Sequence, residues 1–142
     1  ADTGDVAAVS GRIVKVDRGA RAAGGIRFGA SSHVARIILT AMKFDAGKRA
    51  AINIRYGKQI LKACKKVNLR AASFSREKVP GRMTLNFGVM KAIETFGEVP
   101  DVIYDTGDVG KEPMVRLLGR SATEVVSDAI KLSKCIPRTG GD

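Results

Sequence analysis

The sequence is poor in aromatic side chains and in long apolar runs. It contains no tryptophan, and Phe, Trp and Tyr together make up 5% of its 142 residues. A platform that stacks the bases of single-stranded nucleic acid needs aromatic rings, so this class is not expected, and no helix-turn-helix or RNA-recognition signature is present. Because no stretch approaches the roughly 20 apolar residues that cross a bilayer, no membrane-spanning segment is predicted, and a membrane is not the expected partner.

Nucleophilic and metal-ligating side chains are also scarce. The chain has one histidine and two cysteines, Cys64 and Cys135, neither with a second Cys or His at metal-ligand spacing. A cysteine–histidine pair near a helix start, the GxSxG elbow and the HExxH motif are all missing. We interpret both cysteines as reduced thiols at helical core positions, which fits a cytoplasmic protein.

Basic side chains outnumber acidic ones in this sequence. Lys+Arg 25 against Asp+Glu 14 gives a net charge of +11, which predicts an anionic partner. Nucleic acid, an anionic membrane and phosphorylated metabolites all carry the required charge. The lysine cluster on one predicted helix face also fits a solvated surface; its members are Lys58, Lys62, Lys65 and Lys66.

The length fits one domain with one core. The chain begins at Ala1, without the basic-then-apolar order of a signal peptide, and a strand-like run starts near Val6. We therefore expect residues 1–142 to form a single domain of a longer polypeptide, with a tail over residues 136–142.

Apolar periodicity predicts alternating strands and helices. Strands are expected over 6–9, 12–16, 49–56, 69–75, 101–105 and 114–118, helices over 31–44, 57–67, 87–96 and from Ser121 onward, and loops over 19–29 and 75–86. Two helix faces are predicted to be core, one made of Ala35, Ile38, Leu39 and Met42 opposite a polar stripe of His33, Arg36, Thr40 and Lys43, the other of Val125, Val126, Ala129 and Ile130. The alternation predicts an α/β fold with helices on both faces of a mixed, partly antiparallel sheet.

The first candidate site is the glycine turn that leads into a serine-rich helix start, residues 28–33. Unpaired N–H groups at a helix N-terminus bind anions, and Ser31, Ser32 and His33 would add donors to a phosphate. The alternative is that the serines only cap the helix and that His33 is a surface residue.

The second candidate is the loop from Asp105 to Pro113. Gly107 and Gly110 can shape a backbone nest around an oxyanion, with Lys111 neutralising it; the spacing is not that of a Walker A loop. An ordinary hairpin loop with glycines at positive φ is the alternative. The carboxylates of Asp105 and Asp108 are candidates for Mg²⁺, although loop carboxylates often only form turns.

Asn53 and Arg55 form the third candidate. They share one face of the predicted strand 49–56, with Ala51, while Ile52 and Ile54 point the other way. Arginine suits planar, bidentate recognition of phosphate. An exposed or salt-bridged strand face is the alternative.

Read in order, several segments resemble the ThiN family, the archaeal-type thiamine-phosphate synthase domain. They are Gly11–Val14, Phe28–Arg36, Ala51–Tyr56, Val99–Asp105 and Gly110–Met114, and the resemblance spans about residues 5–132. It implies a three-layer α/β/α fold similar to class II aldolases. It also implies fusion behind a hydroxymethylpyrimidine-phosphate kinase.

The resemblance further implies a reaction and its residues. Hydroxymethylpyrimidine diphosphate and a thiazole phosphate would combine to thiamine phosphate and pyrophosphate, and the family's important arginine and histidine correspond to Arg12 and His33. The family commonly has Ser-Phe-Asp-Arg where this chain has Ser73-Phe74-Ser75-Arg76, which is a departure. Related domains fused to a helix-turn-helix sense thiamine phosphates, so a regulator is the alternative. For the synthase, Mg²⁺ is the expected cofactor, as a bridge between diphosphate oxygens, and a homodimer is a candidate assembly.

Overall fold

The computed structural model describes residues 2–10, 13–16, 19–22, 24–75, 84–107 and 113–136. In chain order the elements are β1 (Ala7–Val9), β2 (Ile13–Val16), β3 (Gly19–Ala22), β4 (Ile26–Phe28), α1 (His33–Met42), β5 (Ala50–Arg55), α2 (Lys58–Lys66), β6 (Ala71–Phe74), α3 (Thr84–Phe96), β7 (Val102–Asp105), β8 (Met114–Gly119) and α4 (Ala122–Cys135). A short 3-10 turn, Thr3–Asp5, precedes them.

The central sheet has four strands in the order β5-β8-β7-β6. β8 is antiparallel to both β5 and β7, whereas β6 and β7 are parallel. The predicted mixed sheet is therefore confirmed. The antiparallel pair β7–β8 follows from the short connection between them, because parallel neighbours need a long crossover.

Helices cover both faces of this sheet. On one face, Ile37 and Ala41 of α1 and Val89 and Ile93 of α3 pack against sheet residues such as Ile103. On the other face, α2 and α4 pack against the strand residues that alternate with them, including Ile52, Val115 and Leu117. Alternating side chains of each strand thus supply two separate cores, and the layers are α/β/α as expected.

The predicted core stripe of α1 is shifted. Ile37 and Ala41 are fully buried, and Thr40, assigned to the polar stripe, is only 3% exposed. The Thr40 hydroxyl donates to the carbonyl of Arg36 at 2.8 Å, so its polar atom is satisfied inside the core. The α1 helix contacts both the sheet and α3, so more of its circumference is buried than one stripe provides.

The predicted core face of α4 is also partly wrong. Val125 is buried, but Val126 and Ile130 are 46% and 50% exposed, and Leu132 is buried instead. A single-sided helix can bury only a narrow stripe, and in α4 this stripe includes Val125, which is buried, and Ala129 and Leu132, which pack in the second core.

The predicted loop over residues 19–29 contains two strands. β3 pairs antiparallel with β2, and β4 pairs antiparallel with β1, as two-stranded sheets separate from the four-stranded one. These strands are short and lie next to glycines, and they pair through backbone hydrogen bonds. Such pairing does not require alternating apolar side chains, so the sequence gives no strand signal here. In the predicted loop 75–86, residues 76–83 lie outside the described part, and α3 already begins at Thr84.

The remaining expectations fall close to the observed bounds. Cys64 is buried, Cys135 is half-buried, and both are free thiols. Residues 137–142 of the predicted tail are not among those described. None of the described helices has the length and apolar character that a membrane crossing requires.

Candidate active site

The start of α1 is built by the two serines that precede it. Ser31 Oγ accepts a hydrogen bond from the Val34 amide at 3.3 Å, so Ser31 provides the side-chain cap that the sequence predicts. Ser32 occupies the N-cap position with helical dihedrals, is exposed, and makes no side-chain cap bond. His33 follows as the half-buried first residue of the helix.

The chain reversal after α1 places this helix start near the end of β5. The connection 43–49 is tight, with the Phe44 and Asp45 amides both bonding back to the Ala41 carbonyl. Because β5 then runs back beneath α1, its last residue, Arg55, lies toward the helix N-terminus. The predicted anion site at His33 and the predicted phosphate side chain of Arg55 therefore belong to one end of the domain.

Asn53 and Arg55 lie on the sheet face that α1 and α3 cover, together with Ala51. This confirms the alternation predicted for the strand. Arg55 is exposed and stands opposite Met114 in the β5–β8 ladder. Asn53 is half-buried and stands opposite Arg116, and no donor of the described residues reaches its buried Oδ1.

Asp105 closes β7 and holds the first turn of the second candidate loop. Its Oδ1 accepts a hydrogen bond from the Gly107 amide at 2.9 Å, an Asx-turn. Gly107 has φ +78°, a left-handed conformation that other residues adopt only with strain. The glycine at this position is therefore required by the backbone.

Arg116 is the residue of this region that the sequence interpretation missed. Its Nη1 lies 2.9 Å from Asp105 Oδ2, and both side chains are completely buried. Its guanidinium carbon also lies 5.6 Å from the ring centroid of Phe74. The available signal was the one charged residue inside the apolar run Met114–Leu118, because a charge in a buried strand implies a carboxylate partner.

The β5–β8–β7 register thus places Asn53, Arg55 and the Gly107 turn at one end of the sheet, and the course of the chain from α1 into β5 directs the His33 helix start toward this end. Arg12, Asp108, Gly110 and Lys111 lie outside the described residues, so their placement in this site stays a prediction. The first and third candidate segments, and the beginning of the second, are contributed by chain regions far apart in sequence.

The carboxylate of Asp105, at this end of the sheet, has structural partners. Both oxygens of Asp105 accept hydrogen bonds, from Arg116 and from the Gly107 amide. Within the described ranges, no group of three or more His, Cys, Asp or Glu side chains is arranged to hold a metal ion. Asp105 therefore fits a structural role better than that of a Mg²⁺ ligand.

A surface cavity among the described residues lies away from this site. It has a volume of about 680 Å³ and is lined by residues that follow α1 and end α3, including Phe44, Asp45 and Glu98. A smaller cavity of about 350 Å³ lies beside the end of β6 and is lined by Ser73, Phe74, Ser75 and α3 residues. The larger cavity contains none of the predicted phosphate-binding residues. The polar side chains at the end of β5, and not this cavity, therefore define the candidate site.

These features define an α/β domain with helices on both faces of a mixed sheet, a capped helix start at α1, and basic and amide side chains at one end of the sheet. Residues 1–131 match the protein family described as thiamine-phosphate synthase ThiN. The chain belongs to this family.

Two relatives show how the match is distributed. The chain is 47% identical over 135 residues to the bifunctional thiamine biosynthesis protein ThiDN of Methanocaldococcus jannaschii, covering 94% of this chain and 32% of that protein. It is 37% identical over 144 residues to the thiamine-phosphate synthase ThiN of Methanothermobacter thermautotrophicus, covering 97% and 76%. The chain thus spans about a third of the bifunctional relative.

Solved structures of similar domains have the same fold. One is the C-terminal domain of a phosphomethylpyrimidine kinase, with 39% identity and a TM-score of 0.82, covering 95% of this chain and 77% of that one. Another C-terminal domain shows 45% identity and a TM-score of 0.87, covering 95% and 75%.

Proposed function

We propose that this domain is a thiamine-phosphate synthase, which joins hydroxymethylpyrimidine diphosphate to a thiazole phosphate. In this reaction the C–O bond to the diphosphate breaks, the thiazole nitrogen bonds to the released carbon, and pyrophosphate leaves with the electron pair. The observation that carries the proposal is the match to the ThiN family, and the register that sets Arg55 at the same sheet end as the Gly107 turn supports it.

The main catalytic task is stabilisation of the charge that develops on the departing diphosphate. Preorganised donors aimed at this charge provide the largest effect. We assign this role to His33, at the start of α1, with Arg12 and Lys111 as its predicted companions. His33 can also donate a proton to the leaving group as a general acid.

The second substrate would be held by the β5 side chains. Arg55 is exposed at the end of the strand and can bind a phosphate with two parallel N–H donors. Asn53 lies two residues earlier on the same face and offers an amide to a polar group of the ligand. Ser31 and Ser32 contribute the capped helix start, where the macrodipole favours a negative charge.

A magnesium ion between diphosphate oxygens stays a prediction. Asp105 does not fit its ligand set, because Arg116 and Gly107 occupy the carboxylate, and Asp108 lies outside the described residues.

The domain context is also a proposal. One relative is named bifunctional, and a similar solved domain is the C-terminal part of a phosphomethylpyrimidine kinase. We therefore expect the full-length polypeptide to carry a kinase domain before this one. Phosphorylated metabolites as substrates agree with the net charge of +11 and with a cytoplasmic location.

The test is pyrophosphate release by the full-length protein with both substrates present. Release that requires both substrates, with thiamine phosphate as the second product, is the expected result. A protein that binds thiamine phosphate but releases no pyrophosphate would instead be a ligand sensor, and the synthase proposal would be abandoned.

A further inference from the structure

Asp105 links the four-stranded sheet to the segment that follows β7. It is the last residue of β7, and its two oxygens accept hydrogen bonds from different parts of the fold. Oδ2 is bonded to Arg116 Nη1 in β8, and Oδ1 to the Gly107 amide, both at 2.9 Å. The carboxylate therefore fixes where Gly107 stands relative to two strands.

Arg116 is itself held in place from several directions. It lies inside β8, opposite Asn53 on one side and Ile103 on the other. Its guanidinium lies over the Phe74 ring of β6, a contact that attracts a cation to the ring face. Because neighbouring strands and the ring restrict the guanidinium, the Asp105 carboxylate bonded to it has a defined orientation.

The burial of this pair is not explained by stability alone. Arg116 and Asp105 are both 0% exposed, and taking two charges out of water costs about as much as their attraction returns. Apolar residues of similar volume often replace such a pair without loss of stability. The polar arrangement provides an acceptor for the Gly107 amide, which apolar residues cannot provide.

We propose that Arg116 and Asp105 are positioning residues for phosphate recognition. They hold Gly107 at its left-handed φ of +78° and so set the direction in which the chain leaves β7, at the sheet end where Arg55 closes β5. This inference rests on the proposed function, since it assigns the Gly107 turn to the phosphate end of the ligand. Neither side chain touches the ligand; each acts through the backbone at Gly107.

The experiment compares two double variants of the full-length protein. Arg116→Met with Asp105→Leu removes both charges and the acceptor for Gly107. Arg116→Met with Asp105→Asn also removes both charges but keeps an amide oxygen for the Gly107 N–H. Calorimetry with thiamine phosphate and with thiamine gives the affinity ratio of each variant, and thermal unfolding monitors its stability.

The wild type is expected to prefer thiamine phosphate. The variant with leucine should lose at least tenfold of this ratio, equivalent to about 1.4 kcal/mol, and the variant with asparagine, which keeps the acceptor for Gly107 but lacks Arg116 to orient it, should lose clearly less than the leucine variant. A purely structural role would weaken both ligands alike and leave the ratio unchanged. The inference is overturned by an unchanged ratio in a folded leucine variant.

A third variant keeps the test decisive if the leucine variant does not fold. Gly107→Ala strains the left-handed backbone without altering the buried charges, and it should lower the same ratio. A folded Gly107→Ala protein with the wild-type ratio overturns the inference. If the wild type itself does not prefer thiamine phosphate, the proposed function fails together with the inference. If the wild type shows this preference and the folded variants keep it unchanged, the inference alone fails.

Discussion

Arg55, the last residue of β5, stands directly opposite Met114, the first residue of β8. The exposed guanidinium thus lies beside the point where the chain returns to the sheet after Asp105 and Gly107. Two segments that the sequence predicts separately as phosphate sites are neighbours because of this antiparallel register. One ligand can therefore contact both, and the contribution of each can be measured.

Substitution Arg55→Ala should weaken the binding of thiamine phosphate by about 10- to 100-fold, because a hydrogen bond to a charged group contributes about 1.5–3 kcal/mol. Thiamine, which lacks the phosphate, should bind almost unchanged. Calorimetry with both ligands measures the difference. Arg49→Ala is the matched control, since Arg49 is exposed just before the opposite end of the same strand; equal losses in both variants would reduce the effect to general electrostatics.

Substitution His33→Ala should lower kcat for pyrophosphate release by about 10²–10³ while changing KM little, because the proposed donor acts most strongly in the transition state. The helix should still form, since Ile37, Ile38 and Ala41 anchor it in the core. Steady-state kinetics with circular dichroism test this. The exposed Arg36 on the next turn provides the control Arg36→Ala, and an undiminished kcat in His33→Ala contradicts the catalytic role.

Local sequence patterns correctly predicted those features that depend only on residues close together in the chain. The alternation of β5 placed Asn53 and Arg55 on one face correctly, because a strand has only two faces. The cap by Ser31 was visible for the same local reason, since its partner is three residues away. The sequence did not show the contact of Arg116 with Asp105, which depends on the register between β7 and β8. The ribbon strands β3 and β4 were missed because their pairing leaves no apolar period.

Substitution Gly88→Ala should destabilise the protein by about 1–3 kcal/mol, although alanine normally favours a helix. A Cβ at Gly88 would lie 2.3 Å from Cδ2 of Phe74, and this ring is held beneath Arg116. Urea unfolding measures the change in free energy of unfolding. In the control Gly25→Ala, the new Cβ would meet no described heavy atom within 4 Å; equal stability of the two variants would show that the ring moves aside freely.

Burial raises the pKa of the Cys64 thiol above its ordinary value. Reaction with a thiol reagent requires the thiolate, so Cys64 should react slowly at pH 8, and the half-buried Cys135 should react first. The variant Cys135→Ser, with Cys64 as its one thiol, tests this directly. Fast, stoichiometric labelling of this variant in its folded state contradicts the prediction.

The same pKa shift has a consequence for stability. Above about pH 8.5, the ordinary pKa of a thiol, the unfolded state loses the Cys64 proton while the folded state retains it. The unfolded state then binds fewer protons, so the free energy of unfolding falls as the pH rises. Urea unfolding at pH 7 and pH 10 should show this loss, and the loss should be smaller in Cys64→Ala, which has no proton to release. Identical pH dependence in the two proteins would mean that the buried thiol makes no contribution to alkaline unfolding.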